Sequence, residues 1–429
     1  MKTAYLRKAV VLAIASCSMF PAGAFAQNYP ASGSVLPYQV LTTLANGVEV
    51  RNGGFGSAAV AHPQHKDQFY MLTDRGPNVD YEGKEGKGKK FPVPEYNPHI
   101  ELVQLLADGY LQVVKTIALK NPTGALITGL PNPKGRGATG EIPYDMNGKP
   151  LGFDAYGLDT EGLVALSNGE FWVSDEYGPH LVHFDADGKE LERISPLGVE
   201  TGKRHLPAVF AHRRANRGME GLTISPDGKE LVGIMQSTLF NPGKKEVQNT
   251  RLTRMLFFDL ASGATRQYLY MQEKPWNANS EIVALDKIHF LVIERDGKFS
   301  GEDTKTQKQV YLIDINDATD VSGDFAADTG LLVRRKTLEQ LDEKELAAAG
   351  IKAVQKKMLI DLVATLPNHY PHDKAEGLWL MADGKHLGVV NDDDFAVTST
   401  DAGDIIQKIL PDSKTVDAST LYVMEIPAR

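Results

Sequence analysis

Short apolar segments and polar turns alternate along most of this chain, and four of the apolar segments begin in the same way. Each opens with a Glu and continues through a polar turn into a second apolar segment that ends in charged or polar residues. The four phrases are Asp159-Thr160-Glu161-Gly162-Leu163, Gly218-Met219-Glu220-Gly221-Leu222, Asn279-Ser280-Glu281-Ile282-Val283 and Lys374-Ala375-Glu376-Gly377-Leu378. Short apolar runs bounded by turn residues are typical of β-strands, so each phrase predicts the first hairpin of a repeated unit.

A weaker copy precedes these four, in which Gly56 to Val60 replaces the Glu phrase and Phe69 to Arg75 supplies the charged strand end. The copies recur at intervals of roughly 60 to 95 residues, which suits a four-stranded blade with insertions. Such self-similar units indicate a β-propeller, in which each blade buries its faces against its neighbours. We therefore predict an all-β fold, a single β-propeller of five four-stranded blades. Six blades are the alternative, if the N-terminal segment or the insertion before Glu376 forms another blade.

The last unit supplies only three strands, the third around Thr420 to Ile426. We expect an N-terminal strand around residues 35–44 to complete it, so that N- and C-terminal strands close the ring. Residues 337–349 have helical spacing and precede Gly350, which predicts a small helical insertion. Two Gly-rich stretches, residues 83–90 and 121–154, are predicted either as surface loops or as a substrate lid.

The N-terminus has the features of an export signal. Lys2, Arg7 and Lys8 precede an apolar run, and Ala24-Phe25-Ala26 has the small-x-small spacing of a signal-peptidase site. The sequence thus predicts a signal peptide at residues 1–26, a propeller domain at residues 27–429, and a periplasmic or secreted protein. The alternative is a lipoprotein tethered through Cys17, because Ile14-Ala15-Ser16-Cys17 resembles a lipoprotein box.

The charge and the cysteine content of the chain exclude some classes of binding partner and of bound metal. The net charge is −9, and it becomes more negative once the three basic residues of the signal are removed, which argues against nucleic acid as a partner. Cys17 is the one cysteine of the chain, so a mature domain beginning at Gln27 has no disulfide and no thiolate zinc site. No later apolar run is long enough to span a bilayer, and no feature points to a particular oligomeric state.

The repeated acidic residues predict a metal site. Side chains alternate along strands, so each Glu and the charged end of the following antiparallel strand can occupy the same end of a blade. Crowded carboxylates need neutralising, and calcium, or else magnesium or manganese, takes such oxygen ligands. The predicted metal ligands are Glu161, Glu220, Glu281, Glu294, Glu376, Asp392 and Asp393. The alternative is that a Glu of this kind only accepts backbone N–H bonds from the next blade.

Basic residues in the same phrases suggest a small anionic or ester substrate, since guanidinium groups bind phosphate oxygens in pairs. The predicted catalytic residues combine these cations with acidic groups at the strand ends: Asp74, Arg75, Asp175, Glu176, Arg217 and Arg295. Acid, base and metal at one mouth suit phosphoester chemistry.

Several phrases together resemble one protein family. They are Glu161-Gly162-Leu163 followed by Trp172 to Pro179, Asn216 to Leu222, Ile293 to Gly297, Lys374 to Leu378, and Asn391 to Phe395. In combination they are similar to the phytase-like family of exported bacterial proteins, named for "esterase-like activity of phytase".

The family's name implies a relation to the β-propeller phytases, calcium-dependent enzymes that hydrolyse phosphomonoesters at an acidic central channel. The resemblance therefore implies an exported, metal-dependent hydrolase of phosphoesters or carboxylesters. Two alternatives stay open: a non-catalytic propeller that calcium stabilises and that serves as a binding or scaffold module, and a lactonase-like hydrolase. The calcium-ligand phrases of true phytases have no one-for-one match in this chain.

Overall fold

The computed structural model describes residues 27–197, 204–301, 305–411 and 414–427. Five antiparallel four-stranded sheets form the blades of a propeller, numbered here 1 to 5 along the chain. From the inner to the outer strand, blade 1 is Ala58–Ala61, Gln68–Leu72, His99–Leu105 and Leu111–Ala118; blade 2 is Thr160–Ala165, Phe171–Asp175, Leu181–Phe184 and Glu190–Ile194; blade 3 is Met219–Ile224, Glu230–Met235, Leu252–Asp259 and Thr265–Met271; blade 4 is Ala278–Ala284, His289–Arg295, Lys308–Asp314 and Gln355–Asp361; blade 5 is Gly377–Leu380, His386–Val390, Thr420–Glu425 and Ser34–Val35.

The blades form a closed ring, because each inner strand contacts the inner strands of both neighbouring blades, including blade 5 against blade 1. The predicted single five-bladed propeller is confirmed. Closure also follows the prediction, since Ser34 pairs with Leu421 and Val35 with Thr420 in blade 5. The N-terminal strand is shorter than expected, because Val40–Thr43 turns away and pairs with Glu49–Arg51 in a separate hairpin.

Apolar side chains between the blades hold the ring together. Each of five buried clusters draws its residues from two neighbouring blades. Between blades 5 and 1, for example, the ring of Phe69 stacks on Trp379 with centroids 4.7 Å apart. Because a blade is covered on both faces, its middle strands are apolar on both sides, and Phe171–Asp175 is buried at every position. Burial of this kind contributes about 25 cal/mol per Å².

The Gly of the Glu-Gly-Leu phrase has a packing role. A Cβ on Gly162 would lie 2.5 Å from the Cβ of Leu222, and one on Gly221 would lie 2.7 Å from the backbone nitrogen of Ile282. Contacts that short do not occur between real atoms. Neighbouring inner strands therefore approach each other too closely for a side chain at these positions.

Two insertions lie over the central cavity. Val79–Gly83, Gly86–Lys90 and Ile142–Tyr144 form a three-stranded sheet, and Val397–Ser399 pairs with Ile405–Gln407. Val397–Ser399 also contacts Val79–Gly83. Residues 83–90, predicted as a loop or a lid, thus belong mostly to a hairpin.

The helices are short and lie outside the blades. The helical insertion predicted at residues 337–349 is confirmed as two pieces, and the second begins at a capping box in which the Asp342 carboxylate accepts the N–H of Glu345 at 2.8 Å. A two-stranded hairpin, Leu332–Val333 with Lys336–Thr337, precedes it. The described α-helices are Lys244–Val247, Glu343–Ala348 and Leu362–Thr365, and the 3₁₀-helices are Ala208–His212, Leu338–Gln340 and Asp394–Ala396.

The signal peptide predicted at residues 1–26, with the lipoprotein alternative at Cys17, lies outside the described residues. Within the described ranges, no helix combines the length and the apolar character that crossing a membrane requires.

Candidate active site in the central channel

Glu161 and Glu220 each occupy a β-bulge near the start of an inner strand. In blade 2 the strand pairing skips Glu161, which lies between the paired residues Thr160 and Gly162, and in blade 3 it skips Glu220 in the same way. A bulge re-aims the side chain of the extra residue. Both carboxylates line one cavity at the centre of the ring.

The second strands of the blades contribute one aligned residue each. In each blade, the residue that follows the bulge position pairs with a residue of the second strand, and the aligned position lies two residues after that partner. The five aligned residues are Asp74, Glu176, Gln236, Arg295 and Asp392. All five line the same cavity, which has a volume of about 320 Å³. The five blades thus present four charged side chains and one amide at a single level of the channel.

Of the thirteen residues predicted for the site, nine line this cavity, namely Asp74, Arg75, Glu161, Glu176, Arg217, Glu220, Arg295, Glu376 and Asp392. Asp175, Glu281, Glu294 and Asp393 do not line it.

Glu281 lies outside the cavity because of a one-residue shift in blade 4. The pairing there skips Ser280, so Ser280 occupies the bulge position and Glu281 follows it. The Oε1 atom of Glu281 accepts the backbone N–H of Leu222 at 3.1 Å and that of Ile282 at 2.9 Å. Glu281 therefore links blades 3 and 4 through the backbone contacts that were the alternative for the Glu phrases.

Asp175 and Glu294 lie one residue before the aligned position, so their side chains point to the other face of the strand. Asp175 bonds the ring of His180 and the backbone N–H of Tyr177. Glu294 accepts bonds from the Tyr270 hydroxyl at 2.8 Å and from Lys356 at 2.9 Å. Both carboxylates are thus committed to structural partners.

Asp393 lies one residue beyond the aligned position in blade 5. Its carboxylate accepts the backbone N–H groups of Gly54 at 2.7 Å and Ser419 at 3.0 Å. It therefore fixes the loops on either side of the ring closure instead of facing the cavity.

Most cations of the cavity are paired with its carboxylates. The Arg75 guanidinium lies 3.1 Å from Asp159, and Arg295 pairs with Glu376. Lys374 bonds Asp392 and also Asp394, the latter at 2.6 Å.

Arg217 is different. Within the described residues no carboxylate lies within ion-pair distance of its guanidinium, and its hydrogen bond is to the backbone oxygen of Asn277 at 3.5 Å. Burial lowers the pKa of Arg217 to about 10, with Arg214 and Arg295 adding to the effect. Arg217 stays charged at neutral pH and is placed to bind an anion.

The carboxylates form three groups whose oxygens lie within 4.8 Å of one another: Asp74 with Asp159 and Glu161, Asp74 with Asp392 and Asp394, and Glu161 with Glu176 and Glu220. These donors come from blades 1, 2, 3 and 5. The Oε2 atom of Glu220 is buried without a hydrogen-bond partner. An all-oxygen donor set with an unsatisfied buried carboxylate fits a hard divalent cation such as calcium, magnesium or manganese.

Crowding also alters the acidity of these groups. Burial raises the pKa of Glu220 to about 7, and the charge of Glu376 adds to the effect. Burial, followed by the charge of Glu220, raises the pKa of Glu161 well above its ordinary value. Burial raises the pKa of Asp159 to about 7, against the opposing effect of Arg75. The cluster therefore favours positive charge, supplied by protons or by a cation.

Sequence reasoning missed several residues of the cavity wall, including Asp159, Asp394, Gln236 and Asn216. Asp159 lies two residues before Glu161, and Asp394 lies two residues after Asp392. Their closeness in the sequence to Glu161 and Asp392 was the signal that could have found them. Asp80 and Lys89 also line the cavity but come from the insertion that covers it, so no repeat pointed to them.

The model of the phytase-like family, described as esterase-like activity of phytase, matches residues 50–395. An "Uncharacterized secreted protein" of Arthroderma benhamiae is 30% identical over 266 residues, which are 50% of this chain and 49% of that protein. The chain thus spans about half the length of this curated relative.

The similarity to solved structures is low, both in sequence identity and in TM-score. A protein from Lactobacillus plantarum shares 12% identity over 91% of this chain and 95% of its own, with a TM-score of 0.33. The Dos1 propeller shares 9% identity over 84% of this chain and 69% of its own, with a TM-score of 0.30. Because the family model covers most of the residues from blade 1 to blade 5, the chain belongs to the phytase-like family, the family of esterase-like activity of phytase.

Proposed function

We propose that this protein is an exported, metal-dependent hydrolase of small phosphoesters or carboxylesters, with calcium as the preferred cation. The observation that carries the proposal is one wall of the cavity. There Glu161, Glu176 and Glu220 bring their oxygens within 4.8 Å of one another, and the same cavity contains Arg217, which has no carboxylate partner among the described residues. A cation site and an unpaired guanidinium in one cavity suit an anionic ester.

Glu161, Glu176 and Glu220 are the residues that would hold the cation, with Asp74 and Asp159 continuing the cluster. A bound divalent cation supplies a Lewis acid for the phosphoryl or acyl oxygen and makes a coordinated water more acidic.

The protein's own side chains would bind the substrate and accept the proton of the attacking water. Arg217 binds the anionic group of the substrate, while Arg75 and Arg295, each paired with a carboxylate, keep the surrounding wall charged and fixed. Asp74, the carboxylate that blade 1 contributes to the aligned ring, accepts the proton of the attacking water. Asp175, buried against His180, has no place in this step.

A non-catalytic propeller stabilised by calcium is the second candidate. It is favoured by the origin of the carboxylates, because a cation bound between Glu161, Glu176 and Glu220 would join blade 2 to blade 3. In that case removal of the cation would lower the melting temperature, and no ester would be hydrolysed.

The proposed location is outside the cytoplasm. It is supported by the predicted signal peptide at residues 1–26 and by the relative that is named as a secreted protein.

The test measures hydrolysis of p-nitrophenyl phosphate and p-nitrophenyl acetate by the purified mature protein. The protein is assayed as isolated, after treatment with a chelator, and after return of calcium, magnesium or manganese, with melting temperatures recorded in parallel. We expect hydrolysis to disappear with the chelator and to return best with calcium. Rates equal to buffer for both esters in every condition contradict the proposal. Turnover of lactones in place of both esters would favour the lactonase-like alternative.

A further inference from the structure

Trp276 is an exposed aromatic residue in the chain segment next to Arg217, one of the residues that line the central cavity. The chain has three Trp residues. Trp172 and Trp379 are 2% and 3% exposed, whereas Trp276 is 53% exposed. A single exposed aromatic residue carries no meaning by itself, so its position and surroundings decide its role.

The backbone that presents Trp276 is firmly fixed. The next residue, Asn277, is buried, and its side-chain amide donates to Glu294 at 2.6 Å. The backbone oxygen of Asn277 accepts a bond from the Gln272 side chain at 3.1 Å and a longer one from Arg217 at 3.5 Å. Trp276 is therefore displayed next to an anchored residue that itself contacts the cavity wall.

Trp276 is also linked to the cavity wall by contacts through Arg214. The guanidinium of Arg214 lies 5.6 Å from the centroid of the Trp276 ring and 5.4 Å from that of Phe240. Arg214 and Arg217 belong to one turn, closed by the bond from the Arg217 N–H to the Arg214 oxygen at 3.0 Å. Trp276 and Arg214 thus form a cation–π pair next to Arg217.

We propose that Trp276 and Arg214 form an accessory binding subsite for the planar aromatic ring of an aryl ester. The ring stacks on the indole and the guanidinium, both of which favour flat π-systems. The anionic group of the same molecule then reaches Arg217. The subsite rests on the proposed function, in that Arg217 binds the anion, and it narrows the substrate class to esters of aromatic alcohols.

The test compares phenyl phosphate with methyl phosphate, which carries the same anion without the ring. Binding to the calcium-loaded protein is measured by calorimetry, with intrinsic fluorescence as a second readout because the other two Trp residues are buried. We expect phenyl phosphate to bind about 3- to 10-fold more tightly than methyl phosphate. We also expect it to change the emission of the wild-type protein and not that of a Trp276→Phe variant.

Two variants separate the subsite from a general surface effect. Trp276→Ala should abolish the preference for phenyl phosphate, while Tyr110→Ala, which removes an aromatic residue that is 69% exposed on the outer edge of blade 1, should preserve it. Equal affinity for the two phosphates, no saturable binding of phenyl phosphate, or a preference that survives in Trp276→Ala would overturn the subsite. Binding of glucose 1-phosphate as tightly as phenyl phosphate would overturn the choice of an aromatic ring.

The two proposals fail in different ways. Hydrolysis of methyl and phenyl esters with the same KM supports the proposed function and overturns the subsite. Tight binding of phenyl phosphate at Trp276 without hydrolysis of any ester supports the subsite and contradicts the proposed function.

Discussion

Ser280 occupies in blade 4 the bulge position that Glu161 occupies in blade 2. The small side chain of Ser280 accepts a hydrogen bond from the Nε of Arg295 at 3.1 Å, and the same guanidinium pairs with Glu376 of blade 5. At the bulge position blades 2 and 3 present carboxylates, whereas blade 4 presents Ser280 and adds the cation Arg295 from its second strand. This difference gives Glu376 a cationic partner in the cavity wall.

The first prediction concerns that buried ion pair. Arg295→Gln should lower the free energy of unfolding of the metal-free protein by about 3 kcal/mol, because it leaves the Glu376 carboxylate buried without its cation. The double variant Arg295→Gln with Glu376→Gln should recover part of that loss, since neither member of the pair then carries a charge. Denaturant titration in the presence of a chelator measures both.

An exposed ion pair serves as the control. Lys287 and Asp227 lie 2.9 Å apart with the lysine side chain 72% exposed. Lys287→Gln should leave the denaturation midpoint close to that of the wild-type protein, because solvent screens an exposed ion pair. A double variant less stable than Arg295→Gln alone would show that Glu376 does not depend on this partner.

The second prediction separates two Glu residues of the repeated phrases. Glu220→Gln should weaken calcium binding more than tenfold, or by over about 1.4 kcal/mol, because it removes a charged oxygen from the cluster while keeping its shape. Glu281→Gln is the matched control, because a Gln oxygen can still accept the two backbone N–H groups that Glu281 binds. An unchanged calorimetric isotherm for Glu220→Gln would remove Glu220 from the metal site.

The repeat predicted the architecture because it reports something that every blade shares. The four Glu phrases and the weaker copy at Gly56 to Val60 mark the starts of the five inner strands, and counting them yields the five blades. In blades 2, 3 and 5 the phrase is Glu-Gly-Leu. The Gly after each of these Glu residues is required where inner strands converge, so the phrase follows from packing as well as from chemistry.

The site was harder to predict because a shift of one residue reverses the face of a strand. The sequence similarity of the phrases aligns Glu281 with Glu161, whereas the strand pairing aligns Ser280 with Glu161. The same shift excludes Asp175 and Glu294, whose successors Glu176 and Arg295 line the cavity. Register depends on pairing partners far along the chain, which the local pattern does not contain.

The third prediction tests the close approach of the inner strands. Gly221→Ala should destabilise the protein by about 1 to 3 kcal/mol, because its new Cβ would lie 2.7 Å from the backbone nitrogen of Ile282, which cannot move aside as a side chain can. Gly297→Ala is the control, since nothing lies within 4 Å of a Cβ at that position. Equal melting temperatures for the two variants would contradict the packing role of Gly221.

The fourth prediction concerns Glu101, a buried carboxylate in the third strand of blade 1. Burial raises its pKa to about 7, against the opposing hydrogen bond from Thr116, and its Oε2 atom has no hydrogen-bond partner. Because the folded state holds the proton more tightly than the unfolded chain, the contribution of Glu101 to stability is complete below about pH 4.5 and is lost as the pH rises to about 7.

Replacement of Glu101 by Gln should therefore affect stability only above about pH 4.5. Near pH 4.5 the variant and the wild-type protein should unfold at similar denaturant concentrations, whereas at pH 8 the variant should be more stable by about 1 to 3 kcal/mol, since one pKa unit corresponds to about 1.4 kcal/mol. Glu425→Gln, at an exposed position of blade 5, should show no such difference between the two pH values. A Glu101→Gln variant that is less stable than wild type at pH 8 would mean that the carboxylate is ionised in the fold and stabilised there, and would contradict the raised pKa of Glu101.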